Sequence, residues 1–560
     1  MADNSPPVPP RFEKNALYFV PLGGAGEIGM NLNLYAHQGK WLMVDLGVTF
    51  GNETTPGVDI ILPDPSFIEE RKGDLVGLVL THAHEDHVGA VAYLWPYLEC
   101  PVYATPFTAE FLRHKLREEG IEPDVKLIEI PLGGRFTVGP FDIEMITTTH
   151  SIPEPNHLAI RTTAGTVLHT ADWKFDPEPL VGPPADEAAL RRLGDEGVLA
   201  MVGDSTNIFT EGHSASEGDV RRSMIDLFAR FQGRIAVGCF ASNIARMETI
   251  ALAAKANGRE VALVGRSLWR MMETARTCGY LKGCPAFLGD EEAAKLPRDK
   301  VVYICTGSQG EPRAALKRIA SGSHPYVSLS AGDVVIFSSR VIPGNERSIL
   351  QLQNQLVEMG VKLITSRDAM VHVSGHPGAE EVRSLYGMVR PSIALPVHGE
   401  FLHLDHHADV ARDLGVAHVV RITNGAVVRL DGAEPTVVGK VPFGRLALDG
   451  DRLLQIDCEI IRDRKRMGYN GSVAVSLAID DKGKLLGTPK ISARGLLDPE
   501  DDADEVADLT NRVRGAVNAV RPADRKDDAA VAEAVRLAVR RVFRQGQNRR
   551  PVTDIHVLRV

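Results

Sequence analysis

Residues 75–98 read LVGLVLTHAHEDHVGAVAYLWPYL. The apolar run Leu75–Leu80 fits a buried strand. Behind it, Thr81-His82-Ala83-His84-Glu85-Asp86-His87 crowds three imidazoles and two carboxylates into one turn, and a helix-forming apolar stretch follows. His82 and His84 are two apart, so on an extended segment they point the same way, while Asp86 and His87 lie on the turn into the helix. Neutral imidazole and carboxylate are the donors that Zn²⁺ and Mn²⁺ accept, with no thiolate needed. The spacing favours a site for two metal ions over a polar loop with surface histidines. Further ligands should come from other strand ends. The candidates are His150 in TTTHSIPEP, Asp172 in LHTADWKF and His398 in LPVHGEF, each following an apolar or β-branched run. Asp172 taken alone also suits a helix N-cap.

The rest of the composition is ordinary. The chain has 560 residues, 44% hydrophobic and 24% charged, which excludes disordered, collagen-like and disulfide-scaffold classes and gives a prior of about three to four domains. The net charge of −10 excludes a polycation, so any positive surface for nucleic acid must be local. The six cysteines form no CxxC pair, and most sit in apolar runs and read as small buried hydrophobes of a reducing compartment. The N-terminus is Pro-rich without an apolar core, and no apolar window is long enough to span a membrane. These features point to a cytoplasmic chain that makes no membrane contact.

Alternating strands and glycine turns from Leu17 onward suggest a sheet-on-sheet sandwich flanked by helices. From Glu217 to Ser366 the pattern changes to strand–helix–strand units, as in a doubly wound α/β domain. Ser242 is expected to cap its first long helix. The sandwich pattern then resumes. The predicted division is a disordered tail at 1–14, the sandwich at 15–216 and 367–440, an insertion at 217–366, a linker at 441–450 and a small βαβαβ-like α+β domain at 451–560. His37, His403, His406 and His407 are expected at the surface. Asn31 and Asn33, beside the GGAGEIG loop, are candidates to support ligands.

Asp45, HAHEDH, His150 and Asp172, in that order, resemble the motif series of the metallo-β-lactamase superfamily. The resemblance implies an αββα sandwich in which His82, His84 and His150 hold one metal and Asp86, His87 and His398 the other. Asp172 would bridge both, and Asp45 would orient ligands without binding metal. The inserted domain resembles the β-CASP domain of nucleic-acid-processing members, with Asp204 in MVGDSTN, His376 in VHVSGHPG and His398 in PVHGE as its extra motifs. Histidine rather than valine at the last of these favours RNA over DNA. The series LGGAGEIGMN, GDSTN, FASNIAR, TGSQGEP, SGHPG and PVHGEF is similar to the ribonuclease J family.

That resemblance implies a ribonuclease with two divalent ions per subunit, Zn²⁺ before Mn²⁺ or Mg²⁺. It would degrade single-stranded RNA from 5′-monophosphate ends and also cut internally, in RNA maturation and decay. Asp86 and Asp204 join His376 in the expected catalytic set: His376 contacts the phosphate or protonates the leaving oxygen, and Asp204 steadies His398. Ser242 and Asn243 at a helix start, with the loop His372, Val373, Ser374, Gly375 and His376, would bind substrate. A homodimer or homotetramer and RNA-degradation partners are further expectations. The competing readings are a DNA nuclease of the same superfamily, a small-molecule metallo-hydrolase and an inactive scaffold subunit.

Overall fold

Strands such as Tyr18–Gly23, Leu32–His37 and Ala200–Asp204 are buried on both faces. The computed structural model describes residues 9–560, which fall into two compact units. One takes the chain up to Thr49 together with Leu62–Gly444, and the other takes Phe50–Ile61 with Arg445–Val560.

In the first unit, one sheet has the order Thr436–Lys440, Ala426–Arg429, Tyr18–Gly23, Leu32–His37, Lys40–Val44, Leu75–Val79, Val102–Ala104, Leu127–Glu129. The second runs Arg135–Val138, Phe141–Thr147, Asn156–Thr162, Gly165–His169, Ala200–Asp204, Ile393–Val397, His418–Val419. Their inner faces share one core, in which Phe19, Tyr35, Leu42, Val44 and Val79 meet Ile143, Leu158, Ile160, Val202 and Leu395. Each such side chain contributes about 1.5–3 kcal/mol on burial. Helices Glu187–Glu196, Ala379–Val389 and Phe401–Asp413 cover the outer face of the second sheet through Leu190, Leu193, Leu385, Val389 and Val410. Helix Pro106–Glu118 lies on the outer strands of the first. This is the expected αββα sandwich.

Ala200–Asp204 and Ile393–Val397 are parallel neighbours in the sheet, so everything between them is a departure from the sandwich and a return to it. The departure contains six parallel strands in the order Phe287–Leu288, Glu260–Val264, Val301–Cys305, Ile235–Gly238, Val334–Phe337, Lys362–Ile364. Ala262, Tyr303, Ala236 and Val335 face one core with helix Glu346–Glu358. The alternate residues Leu263, Ile304, Val237 and Ile336 are also buried, as a parallel sheet covered on both faces requires. Arg246 ties the insertion together although none of its side chain reaches solvent. Its guanidinium meets Glu217 at 2.9 Å and donates to the carbonyls of Ser338 at 3.1 Å and Val371 at 2.9 Å.

Several sequence expectations are corrected. Of the tail placed at 1–14, residues 1–8 lie outside the described residues, while the Phe12 ring packs edge-on against Tyr18 and Trp41. The cap of helix Ile244–Ala256 is Asn243, whose side chain accepts from the Arg246 amide at 2.8 Å, one residue beyond Ser242. The linker at 441–450 contains the strand Arg445–Asp449, which pairs with Arg452–Gln455. Those two strands form a four-stranded sheet with Ile60–Pro63 and Thr49–Phe50, so Arg452–Gln455 does not belong to the βαβαβ-like unit. That unit is a three-stranded sheet centred on Ser472–Ile479, flanked by Leu485–Ser492 and Val552–Arg559. Leu485–Ser492 alternates weakly and was missed. Val473, Val475, Leu477 and Ile479 alternate into a core with Leu509, Val513, Val531 and Val535 of the two long helices. His37 and His407 are buried rather than exposed. His37 contacts the Ala16 carbonyl and the Thr163 hydroxyl, and His407 lies between Ser205 and Tyr386. No helix among the described residues is long and apolar enough to cross a membrane.

Candidate metal centre

Parallel strands deliver their carboxyl ends to one edge of a sheet. Gly165–His169, Ala200–Asp204 and Ile393–Val397 run in parallel and are followed there by Asp172, Asp204 and His398. Phe141–Thr147, with the same direction, is followed by His150. In the facing sheet, Lys40–Val44 and Leu75–Val79 are parallel and lead into Asp45 and His82. Asp45, Ala171 and His398 all have left-handed backbone angles, with φ of 62°, 48° and 51°, a conformation that side chains with a Cβ adopt at a cost of about 1–3 kcal/mol. Close packing is also needed. A Cβ on Gly47 would stand 1.7 Å from the Asp86 carbonyl oxygen.

Ligand atoms converge in overlapping groups. His82, His84, His150 and Asp172 form one, and Asp86, His87, Asp172 and His398 another. In the first, His84 Nδ1 lies 3.2 Å from His82 Nε2 and 3.1 Å from His150 Nε2. Asp172 Oδ2 is 3.8 Å and 3.6 Å from the same two Nε2 atoms. In the second, Asp86 Oδ2 is 3.2 Å from His398 Nε2 and 3.6 Å from His87 Nε2. Asp172 Oδ1 is 3.3 Å from His87 Nε2. Asp172 therefore stands between the groups with one oxygen toward each.

The outer hydrogen bonds decide which nitrogens face inward. His87 Nδ1 donates to Asp45 Oδ2 at 2.7 Å. Asp45 also accepts the Thr81 amide at 2.8 Å and the Thr81 hydroxyl, and that hydroxyl accepts from His82 Nδ1 at 3.0 Å. His150 Nδ1 donates to the Gly375 carbonyl at 2.5 Å. His398 Nδ1 donates to the Thr206 hydroxyl at 2.7 Å, and that hydroxyl donates onward to the His398 carbonyl at 2.9 Å. With their outer nitrogens acting as donors, His82 and His150 point bare lone pairs at His84 Nδ1. Asp172 Oδ1 is shut off from solvent without a hydrogen-bond partner. Inward lone pairs and an orphaned carboxylate oxygen fit bound cations. Asp45 holds His87 directly and His82 through Thr81, so Asp45→Asn should weaken metal binding about 10–100-fold. Titration of metal-stripped protein with Zn²⁺ measures this, and an unchanged affinity would refute it.

The electrostatics agree. Burial, reinforced by neighbouring imidazoles, holds His82 and His150 well below the usual histidine range, and burial takes His84 down to about 4. These rings are neutral, the form that binds metal. Burial also disfavours charge on His87 and His398, yet the carboxylates outweigh it. Asp172, Asp86 and Asp45 raise His87, and Asp172, Asp204 and Asp86 carry His398 to about 10. The second group thus calls for positive charge.

Asp204 faces two histidines, His398 and His376. Its Oδ2 accepts from His376 Nδ1 at 2.8 Å, while its Oδ1 is 3.4 Å from His398 Nδ1. Thr206 is the closer partner of His398. His376 Nε2 then faces inward, 3.9 Å from Asp172 Oδ2. The loop 372–376 adjoins the ligands, because a Cβ on Gly375 would sit 2.8 Å from the His150 ring. Val373 is buried, Ser374 Oγ accepts the His376 amide at 3.1 Å and His372 Nδ1 is buried without a partner. Ser242 lies just outside the Asn243-capped helix, and Ala245 of that helix shares a small cavity with Thr149, His150 and Ser151. Asn31 Nδ2 approaches His87 Nε2 at 3.1 Å. Asn33 leaves its Oδ1 buried and unpaired.

Sequence reasoning missed Thr81, Thr206 and Glu381. Glu381 is wholly buried and accepts the amides of Phe175, Ser214 and Gly378 at 2.7, 2.7 and 2.8 Å. It thereby joins the loops after Asp172 and after His376. Thr81 stands beside His82, which was a usable signal. Nothing in sequence separation marks Glu381.

Four family profiles cover most of the chain: "Metallo-beta-lactamase superfamily" at 29–229, "Ribonuclease J, beta-CASP domain" at 232–356, "Zn-dependent metallo-hydrolase RNA specificity domain" at 360–421 and "Ribonuclease J C-terminal domain" at 459–560. A solved structure of a protein of unknown function from Enterococcus faecalis V583 shares the fold, with a TM-score of 0.52 at 14% identity, over 74% of this chain and 100% of that one. Ribonuclease J of Mycobacterium tuberculosis is 36% identical over 99% of each chain. Ribonuclease J of Sinorhizobium meliloti is 45% identical over 97% of each. Likeness of this extent, on a fold whose strand ends gather a histidine–aspartate centre, makes the chain a member of the ribonuclease J family of metal-dependent, phosphodiester-hydrolysing ribonucleases.

Proposed function

We propose that the centre holds two divalent ions, Zn²⁺ first and Mn²⁺ or Mg²⁺ as alternatives, and cuts single-stranded RNA from 5′-monophosphate ends as well as internally. The observation that carries the two-ion reading is Asp172, whose two oxygens face two different sets of inward nitrogens. Bound ions of this kind supply a water acidified to near-neutral pKa and neutralise charge on the scissile phosphate. The protein residues do the rest. Asp45 and Thr81 orient His82 and His87, Thr206 and Gly375 orient His398 and His150, and Asp204 fixes the His376 ring so that Nε2 faces the reacting phosphate. From that position His376 holds the proton that the leaving 3′-oxygen needs.

The 5′ preference rests on Ser242 at the mouth of a helix whose Ala245 shares a small cavity with His150, and on the polar loop 372–376, whose Gly375 carbonyl accepts from His150. A helix N-terminus and a hydroxyl suit a terminal phosphate, although Asn243 spends its side-chain oxygen on the cap. A cytoplasmic location, a homodimer or homotetramer, and RNA-degradation partners belong to the same proposal. The basic run 462–466 contributes less to RNA than its charge suggests, since Arg464 is paired with Asp449 at 2.7 Å.

The test uses 5′-labelled RNAs bearing monophosphate or triphosphate, with Zn²⁺ or Mn²⁺. Labelled mononucleotide marks exonuclease action, and longer labelled fragments mark internal cuts. Ser242→Ala should lower cleavage of the monophosphate RNA about 10- to 150-fold, the worth of one charge-assisted hydrogen bond, and leave triphosphate RNA nearly unchanged. An equal loss on both ends would rule out the phosphate pocket.

A further inference from the structure

Beside the metal centre lies an exposed group of rings that the catalytic reading does not use. Phe209 follows the turn in which Thr206 holds His398 and Asn207 reaches the His376 carbonyl at 3.4 Å. Its ring is 54% exposed, although the neighbouring Ile208 is in the core. It stacks on His406 with centroids 4.9 Å apart and planes 15° apart, and meets the His403 ring at 5.1 Å and 60°. His403 Nδ1 is buried with no partner. Arg340, also exposed, donates to Asn207 Oδ1 at 2.7 Å. The loop that carries it is stapled by Gln309 of the TGSQGEP motif. Gln309 Nε2 donates to the Arg340 carbonyl at 2.8 Å, and Gln309 Oε1 accepts the Ile342 amide at 2.9 Å.

Three segments far apart in sequence therefore place an exposed Phe209 ring, two half-buried imidazoles and an exposed guanidinium close to the turn that holds His398. Exposed aromatic faces are costly to leave bare, and with a cation alongside they are what single-stranded nucleic acid stacks on, since every base has a π-face. We propose that Phe209, His403 and His406, with Arg340, form a nucleobase-stacking platform that grips single-stranded RNA beside the phosphate being cut. The stack holds a base without reading its identity, and Arg340 holds the adjoining phosphate. This rests on the single-stranded RNA reading above and adds to it the part of the substrate that is gripped.

The test is steady-state cleavage by the full chain. Phe209→Ala should raise KM for a short single-stranded RNA about 5- to 150-fold, with little change in kcat. Phe209→Trp should restore KM. In a series of RNAs with one abasic nucleotide at successive positions, one position should raise the wild-type KM by the same factor and add nothing to the Phe209→Ala variant. If Phe209→Ala loses its cooperative melting transition, Phe209→Leu and His406→Ala carry the same comparison. An unchanged KM in folded variants would overturn the platform, as would a loss that every abasic RNA shares equally. So would an unchanged KM accompanied by a change in sedimentation, which would mark the patch as an interface between copies of the chain. Cleavage of unmodified RNA by the wild type separates these failures from failure of the RNA reading, in which no RNA is cut and the platform falls with it.

Discussion

Asp172→Ala is expected to empty the centre of metal and reduce RNA cleavage to background. Among the described residues, no other belongs to both donor groups. Asp172 Oδ2 lies 3.8 Å and 3.6 Å from the Nε2 atoms of His82 and His150, and Oδ1 lies 3.3 Å from that of His87. Removing a supporting residue such as Asp45 costs about 10–100-fold in metal affinity, and removing the shared ligand should exceed that for both ions. Elemental analysis of purified protein reads the result directly as two metals per chain falling to none. The fold should persist, because the sandwich core is built from Phe19, Tyr35, Leu158 and Val202, away from this side chain. A folded variant that keeps both ions would refute the bridging role.

His376→Ala should behave in the opposite way. Its Nε2 is 3.9 Å from Asp172, and it shares a third cluster with Asp172, Asp204 and His398, but its ring is fixed from outside by Asp204 at 2.8 Å and the two groups described above are complete without it. Metal content should therefore stay at the wild-type level while kcat falls about 10²–10⁴-fold, the range for a lost general acid. An RNA analogue whose leaving 3′-oxygen is replaced by sulfur needs no protonation and should recover most of the rate. Loss of metal along with activity would make His376 a ligand and end the proton-donor role.

Much of this centre was legible in the sequence because its ligands sit in short runs behind apolar strands. HAHEDH after Leu75–Leu80 declares itself, and His150, Asp172 and His398 each follow a strand whose end reaches the same edge. The supporting hydroxyls were harder to see. Thr81 and Thr206 are common residues in turns, and their roles depend on which histidine nitrogen faces outward, which only coordinates reveal. Asp204 reaches toward both His398 and His376, and the turn adds the Thr206 hydroxyl as a closer partner of His398. The sandwich and its insertion were readable from the change of period near Glu217. The C-terminal α+β domain was readable as well, but not that Phe50–Ile61 joins its unit from the far end of the sequence, nor the strand Leu485–Ser492, which is mostly exposed and lacks clear alternation. His37 and His407 were misplaced for a related reason. A histidine whose two nitrogens are both satisfied can be buried like any core residue, and its neighbours in sequence do not say so.

The return of the chain to its first sheet also sets a timetable. Ala200–Asp204 has to wait for Ile393–Val397 before that side of it is paired, and His376 and His398 arrive only with that late strand and the loop ahead of it. A chain emerging from its amino end can form the first donor group, apart from its Gly375 brace, long before the second has been synthesised. The centre is therefore completed only after the whole insertion has been made.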